Sequence, residues 1–169
     1  KDGPEKMRPV GETEFVQGIA AQSASGMYGD TKVAAGIVGY ADLRYGDEIT
    51  EVLEAHIDAS RNRFRGVRNA SSWDASPDIG GYMNPPPGLL GDAGFRTGFA
   101  ALQKLGLSFD AQVYHPQLLE LVDLARTFPD VTIILNHTGV PLGIGPYIGR
   151  EDEVEQVWRN GITELATCE

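Results

Sequence analysis

LSFDAQVYHPQLLELVDLARTFPDVTIILNH (107–137) reads as strand, helix and strand in direct succession. In its middle, PQLLELVDLARTF (116–128) puts Leu118, Leu121, Val122 and Ala125 on one helical face, and Pro116 suits the first turn. LSFDAQVYH before it is apolar and strand-prone, and VTIILNH (131–137) is the β-branched run of a central strand. Two strands joined through a helix, with no hairpin signal, are parallel and connected by a right-handed crossover. Each strand closes on an imidazole, His115 and His137.

The alternation extends both ways. Upstream, a helix is expected over 11–22, with Phe15, Ile19 and Ala20 at helical spacing. KVAAGIVGYADL (32–43) suits a strand buried on both faces. A helix over 47–63 follows, with Asp47 as its N-cap and a stripe of Ile49, Val52, Leu53 and Ile57, and then a strand FRGVRN (64–69). The Gly- and Pro-rich stretch 70–91 forbids a regular element, and a loop that long is usually functional. Helices at 92–106 and 153–166 complete an α-β-α-β-α-β-α-β-α order within one domain, 1–169. Four strands are too few for a closed eight-stranded barrel, and an open doubly wound sheet satisfies the pattern equally.

The composition narrows the function classes. The chain has 169 residues, 41% hydrophobic and 22% charged, with a formal charge of −10 and a pI near 4.7. That balance argues against a nucleic-acid backbone as partner, and no run approaches the length of a membrane span. Cys168 is the single cysteine, which suits a reduced, cytoplasmic setting. Lys1 at the start and Glu169 directly after a helical pattern suggest an internal portion of a longer chain.

In a βα-repeating chain the loops after the strands converge on one mouth, so polar residues at strand ends are the candidates. His137 heads this set, either as a catalytic group or as a histidine capping loop carbonyls. His115 is its companion, but alternation sets Val113 and His115 on one face and Gln112 and Tyr114 on the other. Either the strand bends near Tyr114, or Gln112 and Tyr114 line the pocket while His115 orients the loop. Arg68 suits a substrate carboxylate held by a two-pronged hydrogen bond, or an ion pair with an acid such as Asp42. Asp42 is itself a polar strand end. His56 lies within a helical apolar stripe and belongs to packing. Asp74 and Asp78 fit turn chemistry or substrate contact, and Cys168 lies away from any mouth. GIGPYIG (143–149) makes a poor dinucleotide fingerprint, and neither a phosphate-binding loop nor a nucleophile-elbow motif occurs.

GYADL, FRGVRN, QVYHPQLLELVDLARTFPDVTIILNHTGVPLG and, more weakly, GETEFVQG together resemble the amidohydrolase-related family of TIM-barrel lactonases, hydrolases and non-oxidative decarboxylases. The resemblance implies an α/β fold, a partial (β/α)8 barrel covering about strands three to six with their helices. His115 would match a fifth-strand histidine that often binds metal, and His137 the sixth-strand ligand or catalytic histidine. Arg68 would match a fourth-strand arginine that contacts a substrate carboxylate in some members. The family's first-strand His-x-His pair and last-strand acid are absent here, so a divalent metal, zinc foremost, would find an incomplete ligand set in His115 and His137. The resemblance implies a hydrolase of a carboxylate-bearing small molecule such as a lactone; a homo-oligomer is the partner expectation, and exposed strand edges and missing helix partners would leave this piece alone inactive. A decarboxylase on the same scaffold, or a non-enzymatic α/β module binding a small anion, are the alternatives.

Overall fold

The structure, a computed structural model, describes residues 3–80, 83 and 85–168. Three residues of the long 70–91 loop therefore lie outside the described residues. The order is α1 (Val10–Ala24), β1 (Ile37–Tyr40), α2 (Ile49–Ala59), β2 (Phe64–Ala70), α3 (Ala93–Leu105), β3 (Ser108–Gln112), α4 (Leu118–Thr127), β4 (Ile133–Leu135) and α5 (Glu151–Leu165), with short 3-10 turns between. All pairings are parallel, and the strand order is β1-β2-β3-β4.

This sequential order separates the two architectures left open by the pattern. A doubly wound sheet reverses strand order at a switch point and carries helices on both faces. Sequential parallel strands with crossovers of one hand put every connecting helix on the same face, as in a barrel wall. The core lies between the sheet and those helices, where Phe95, Phe99 and Phe109 are fully buried. Phe99 and Phe109 meet edge to face at 5.1 Å.

The opposite, inner face is open. Val38 is 42% exposed and Ile134 46%, because no described element covers them. The strand expected over 32–43 is therefore shorter and covered on one face only. β4 is an edge strand among the described residues rather than a central one. No helix among the described residues is long and apolar enough to cross a membrane.

Two local expectations change. The helix at 10–24 buries Val10, Thr13 and Ala20, leaving Phe15 69% exposed, because Thr13 is drawn inward by His56. Asp47 does not cap α2. A 3-10 turn, Leu43–Glu48, precedes the helix, and Asp42 caps that turn by accepting from the Arg44 N–H at 3.1 Å. Asp92 caps α3 through the Phe95 N–H at 2.8 Å. α3 presses on the 43–48 turn at Gly98, where a Cβ would stand 2.1 Å from the Leu43 carbonyl oxygen.

His56 is a packing residue, as its place in the stripe suggests. It is fully buried and stacked on Phe64 with centroids 4.9 Å apart. Its Nε2 lies 3.1 Å from the Tyr40 carbonyl, which only accepts, so Nε2 carries the proton. In the neutral ring Nδ1 then accepts from the Thr13 hydroxyl at 2.8 Å.

Candidate active site

Strand register brings the polar inner residues together. Tyr40, Arg68, Asp110 and Ile134 are successive Cα partners across β1 to β4, and Ala70 pairs with Gln112 one step nearer the strand ends. Side chains two apart on a strand share a face, so Asp110 and Gln112 both face inward. Above this row lies a cavity of about 820 Å³, lined among others by Arg8, Glu12, Tyr40, Arg68, Gln112 and His137. It opens at the carboxyl ends of the strands, where barrel active sites are built.

Arg68 donates from Nη2 to Asp110 Oδ2 at 2.9 Å. The Arg68 side chain is 49% exposed, whereas the Asp110 side chain is 8% exposed. Asp110 Oδ1 is buried with no hydrogen-bond partner among the described residues. The arginine therefore pairs with Asp110 and not with Asp42. The reason is geometric: Asp110 is the direct register partner, whereas Asp42 lies past the end of β1 and turns onto Arg44, at 2.9 and 2.6 Å. Burial pushes the Asp42 carboxyl up, but the hydrogen bonds from the Arg44 side chain and backbone outweigh it and hold it below the usual range. Asp42 is thus engaged beside the mouth. Burial, with help from Asp42, raises the Tyr40 phenol.

His137 lines the cavity from an unusual backbone. β4 ends at Leu135, and His137, Thr138, Gly139 and Val140 all take positive φ, at 49°, 55°, 76° and 34°. Such conformations cost non-glycine residues roughly 1–2 kcal/mol each and persist where the surroundings impose them. Here Trp158 of α5 donates from Nε1 to the Thr138 carbonyl at 2.6 Å. Gly139 sits so close to Leu118 that a Cβ would come within 2.8 Å of its Cδ2.

His115 lies elsewhere. β3 ends at Gln112, and His115 opens a 3-10 turn and is buried. Its N–H donates to the Val140 carbonyl at 3.2 Å, and its Nδ1 accepts from the Leu142 N–H at 3.4 Å. Its ring meets Tyr147 edge-on at 5.0 Å. Burial pushes its imidazole down, against a smaller upward pull from Asp74. The structure thus groups His137, Arg68 and Gln112 on the cavity and sets His115 behind the loop that follows β4. Tyr114 donates its hydroxyl to the Gly80 carbonyl at 3.1 Å, tying down the long loop.

Three residues that sequence reasoning passed over organise this mouth. Asp110 shares its face with Gln112, and the FDAQ alternation carried that signal. Gln117 of the turn after β3 accepts from Trp73 N–H at 2.9 Å and donates to the Ser71 carbonyl at 2.8 Å, clamping the root of the long loop. Tyr147 donates to Asp74 Oδ2 at 2.6 Å. Burial first, then Asp74, push its phenol up to about 12. Asp74 Oδ1 also accepts from the Ser76 N–H at 2.8 Å, closing a local turn.

A family model described as Amidohydrolase matches residues 10–169. The chain belongs to the amidohydrolase family. This amidohydrolase chain is 38% identical over 138 residues to the uncharacterized protein y4mH of Sinorhizobium fredii (strain NBRC 101917 / NGR234), an alignment covering 82% of this chain and 42% of that protein. Two crystal structures of an amidohydrolase from Burkholderia multivorans share its fold at 24% identity. One holds bound HEPES (TM-score 0.66) and the other bound zinc (TM-score 0.65). They cover 94% of this chain and 47% and 46% of theirs, so the chain spans less than half the length of the relatives it matches. The sheet is accordingly a partial (β/α)8 wall.

Proposed function

We propose that the protein carrying this chain hydrolyses a small molecule bearing a carboxylate, such as a lactone, in the cavity at the strand ends. The observation supporting this is Arg68, paired with Asp110 while its side chain stays half exposed on a cavity that His137 also lines. A carboxylate would take the free edge of the guanidinium in a paired hydrogen bond. The Gln112 amide, on the same wall, would hold a neighbouring carbonyl or hydroxyl. His137 would accept a proton from the attacking water and return it to the leaving oxygen, so that ring opening leaves one new carboxylate and one hydroxyl.

Zinc is bound in one of the related crystal structures. The residues of this chain do not fit it unaided. No group of three or more His, Cys, Asp or Glu among the described residues is placed to hold an ion. Of the two histidines expected as ligands, His115 already uses Nδ1 as an acceptor behind the β4 loop, while His137 stands on the cavity.

The test is turnover by the full-length protein on a panel of lactones with and without a ring carboxylate. Carboxylate-dependent ring opening, lost in His137→Ala and with a raised KM in Arg68→Gln, is the expected result. Release of CO2 from the carboxylates without ring opening would replace hydrolysis by decarboxylation. Binding without any turnover would favour a small-anion module.

A further inference from the structure

We infer that the cavity takes a ligand with two anionic groups, the second held by Arg8. This rests on the proposed carboxylate site at Arg68 and extends it. Every other arginine of the chain places its guanidinium on an acceptor: Arg44, Arg61, Arg96, Arg126, Arg150 and Arg159 on carboxylates, Arg68 on Asp110, Arg63 on Gln17 and Arg65 on backbone carbonyls. Arg8 has no such partner among the described residues, in a chain whose formal charge is −10. Glu12 is one helical turn away, the spacing at which surface ion pairs form, yet no ion pair joins the two.

The position of Arg8 is built. Residues 5–7 form a 3-10 turn fastened to the start of α2 by Lys6, whose ammonium lies 3.1 Å from Glu48 and 3.0 Å from Glu51. Pro9 then starts α1. In a βα wall each helix runs back against its strand, so the start of α1 stands at the carboxyl ends of the strands, level with the mouth. Pro9 and Glu12 line the cavity beside Arg8, and α1 has no side-chain cap at this end, with Glu12 the one acidic residue of its first turn. Arg68 and Arg8 border one cavity of about 820 Å³, Arg68 from a strand and Arg8 from just before a helix, so that one small molecule in it can meet both. The Arg68 charge is partly answered by Asp110 beneath it, whereas Arg8 forms no ion pair among the described residues. A second carboxylate, phosphate or sulfonate supplies the missing counter-charge.

The test is calorimetric titration of the full-length protein with succinate, glutarate, adipate and pimelate, each against its monoamide, which keeps the shape and removes one charge. At least one diacid is expected to bind about tenfold or more tightly than its monoamide at low salt. Arg8→Gln removes that preference and leaves monoamide binding intact. Arg68→Gln weakens diacid and monoamide together, and Glu12→Gln tightens the diacid alone. Monoamides bound through Arg68 with no diacid preference anywhere in the series would overturn the second anion site and leave the first standing. Absence of any Arg68-dependent binding would overturn both.

Discussion

Arg68 and Asp110 are partners twice over: as register neighbours on β2 and β3, and as an ion pair of 2.9 Å between a half-exposed arginine side chain and a buried carboxylate. The asymmetry matters. Among the described residues the carboxylate has no strong partner but the arginine, whereas the arginine keeps donors to spare for a ligand.

Removing the arginine therefore costs stability as well as binding. Arg68→Gln leaves Asp110 buried and unpaired, with an expected loss of about 1–2 kcal/mol, less than for a fully buried pair because solvent reaches the guanidinium. Adding Asp110→Asn should recover most of that loss without restoring carboxylate binding. Urea unfolding of the full-length single and double variants, alongside ligand titration, checks both halves.

At His137 backbone and imidazole make opposite demands. His137→Gly removes the ring but relaxes a residue at φ 49°. It should be about 1 kcal/mol more stable than His137→Ala, which keeps the strain. Both variants should lose turnover alike. A His137→Gly protein no more stable than His137→Ala would show that the left-handed run is not strained.

Acid should weaken the fold through His56. Burial depresses its pKa, only partly opposed by the bond to the Tyr40 carbonyl, so it stays neutral when folded. Once the pH falls below the ordinary value of about 6.5, the unfolded chain takes up a proton that the folded chain refuses, and stability drops. His115, depressed by burial too, adds in the same direction. Unfolding midpoints between pH 5 and 7.5 should rise with pH, with a shallower slope in His56→Asn.

The contact of α3 with the 43–48 turn tolerates no side chain at Gly98. Gly98→Ala would drive a methyl group against the Leu43 carbonyl. A cost of about 3 kcal/mol is expected, read as a lower denaturant midpoint with unchanged m-value.

Much of this wall was legible in the sequence because βα periodicity is a local property. The stripe of Leu118, Leu121 and Val122 needs only neighbours in the chain, and it stands where the pattern put it. Where prediction strayed, distant residues decided. Phe15 and Ile19 were spaced correctly for a helix, yet its buried side was chosen by His56, some forty residues on, through Thr13. The partner of Arg68 follows from strand register, which one sequence does not display. The ends of β3 and β4 were overrun for a related reason: His115 and His137 sit on turns fixed by Val140, Leu142 and Trp158.

The amide of Gln117 grips Ser71 and Trp73 at the point where the long loop departs. Beyond that grip the loop is held by separate ties, the Tyr147 bond to Asp74 and the Tyr114 bond to Gly80. A change in that canopy would retune what is admitted to the chamber while the Gln117 clamp keeps the root of the loop in place.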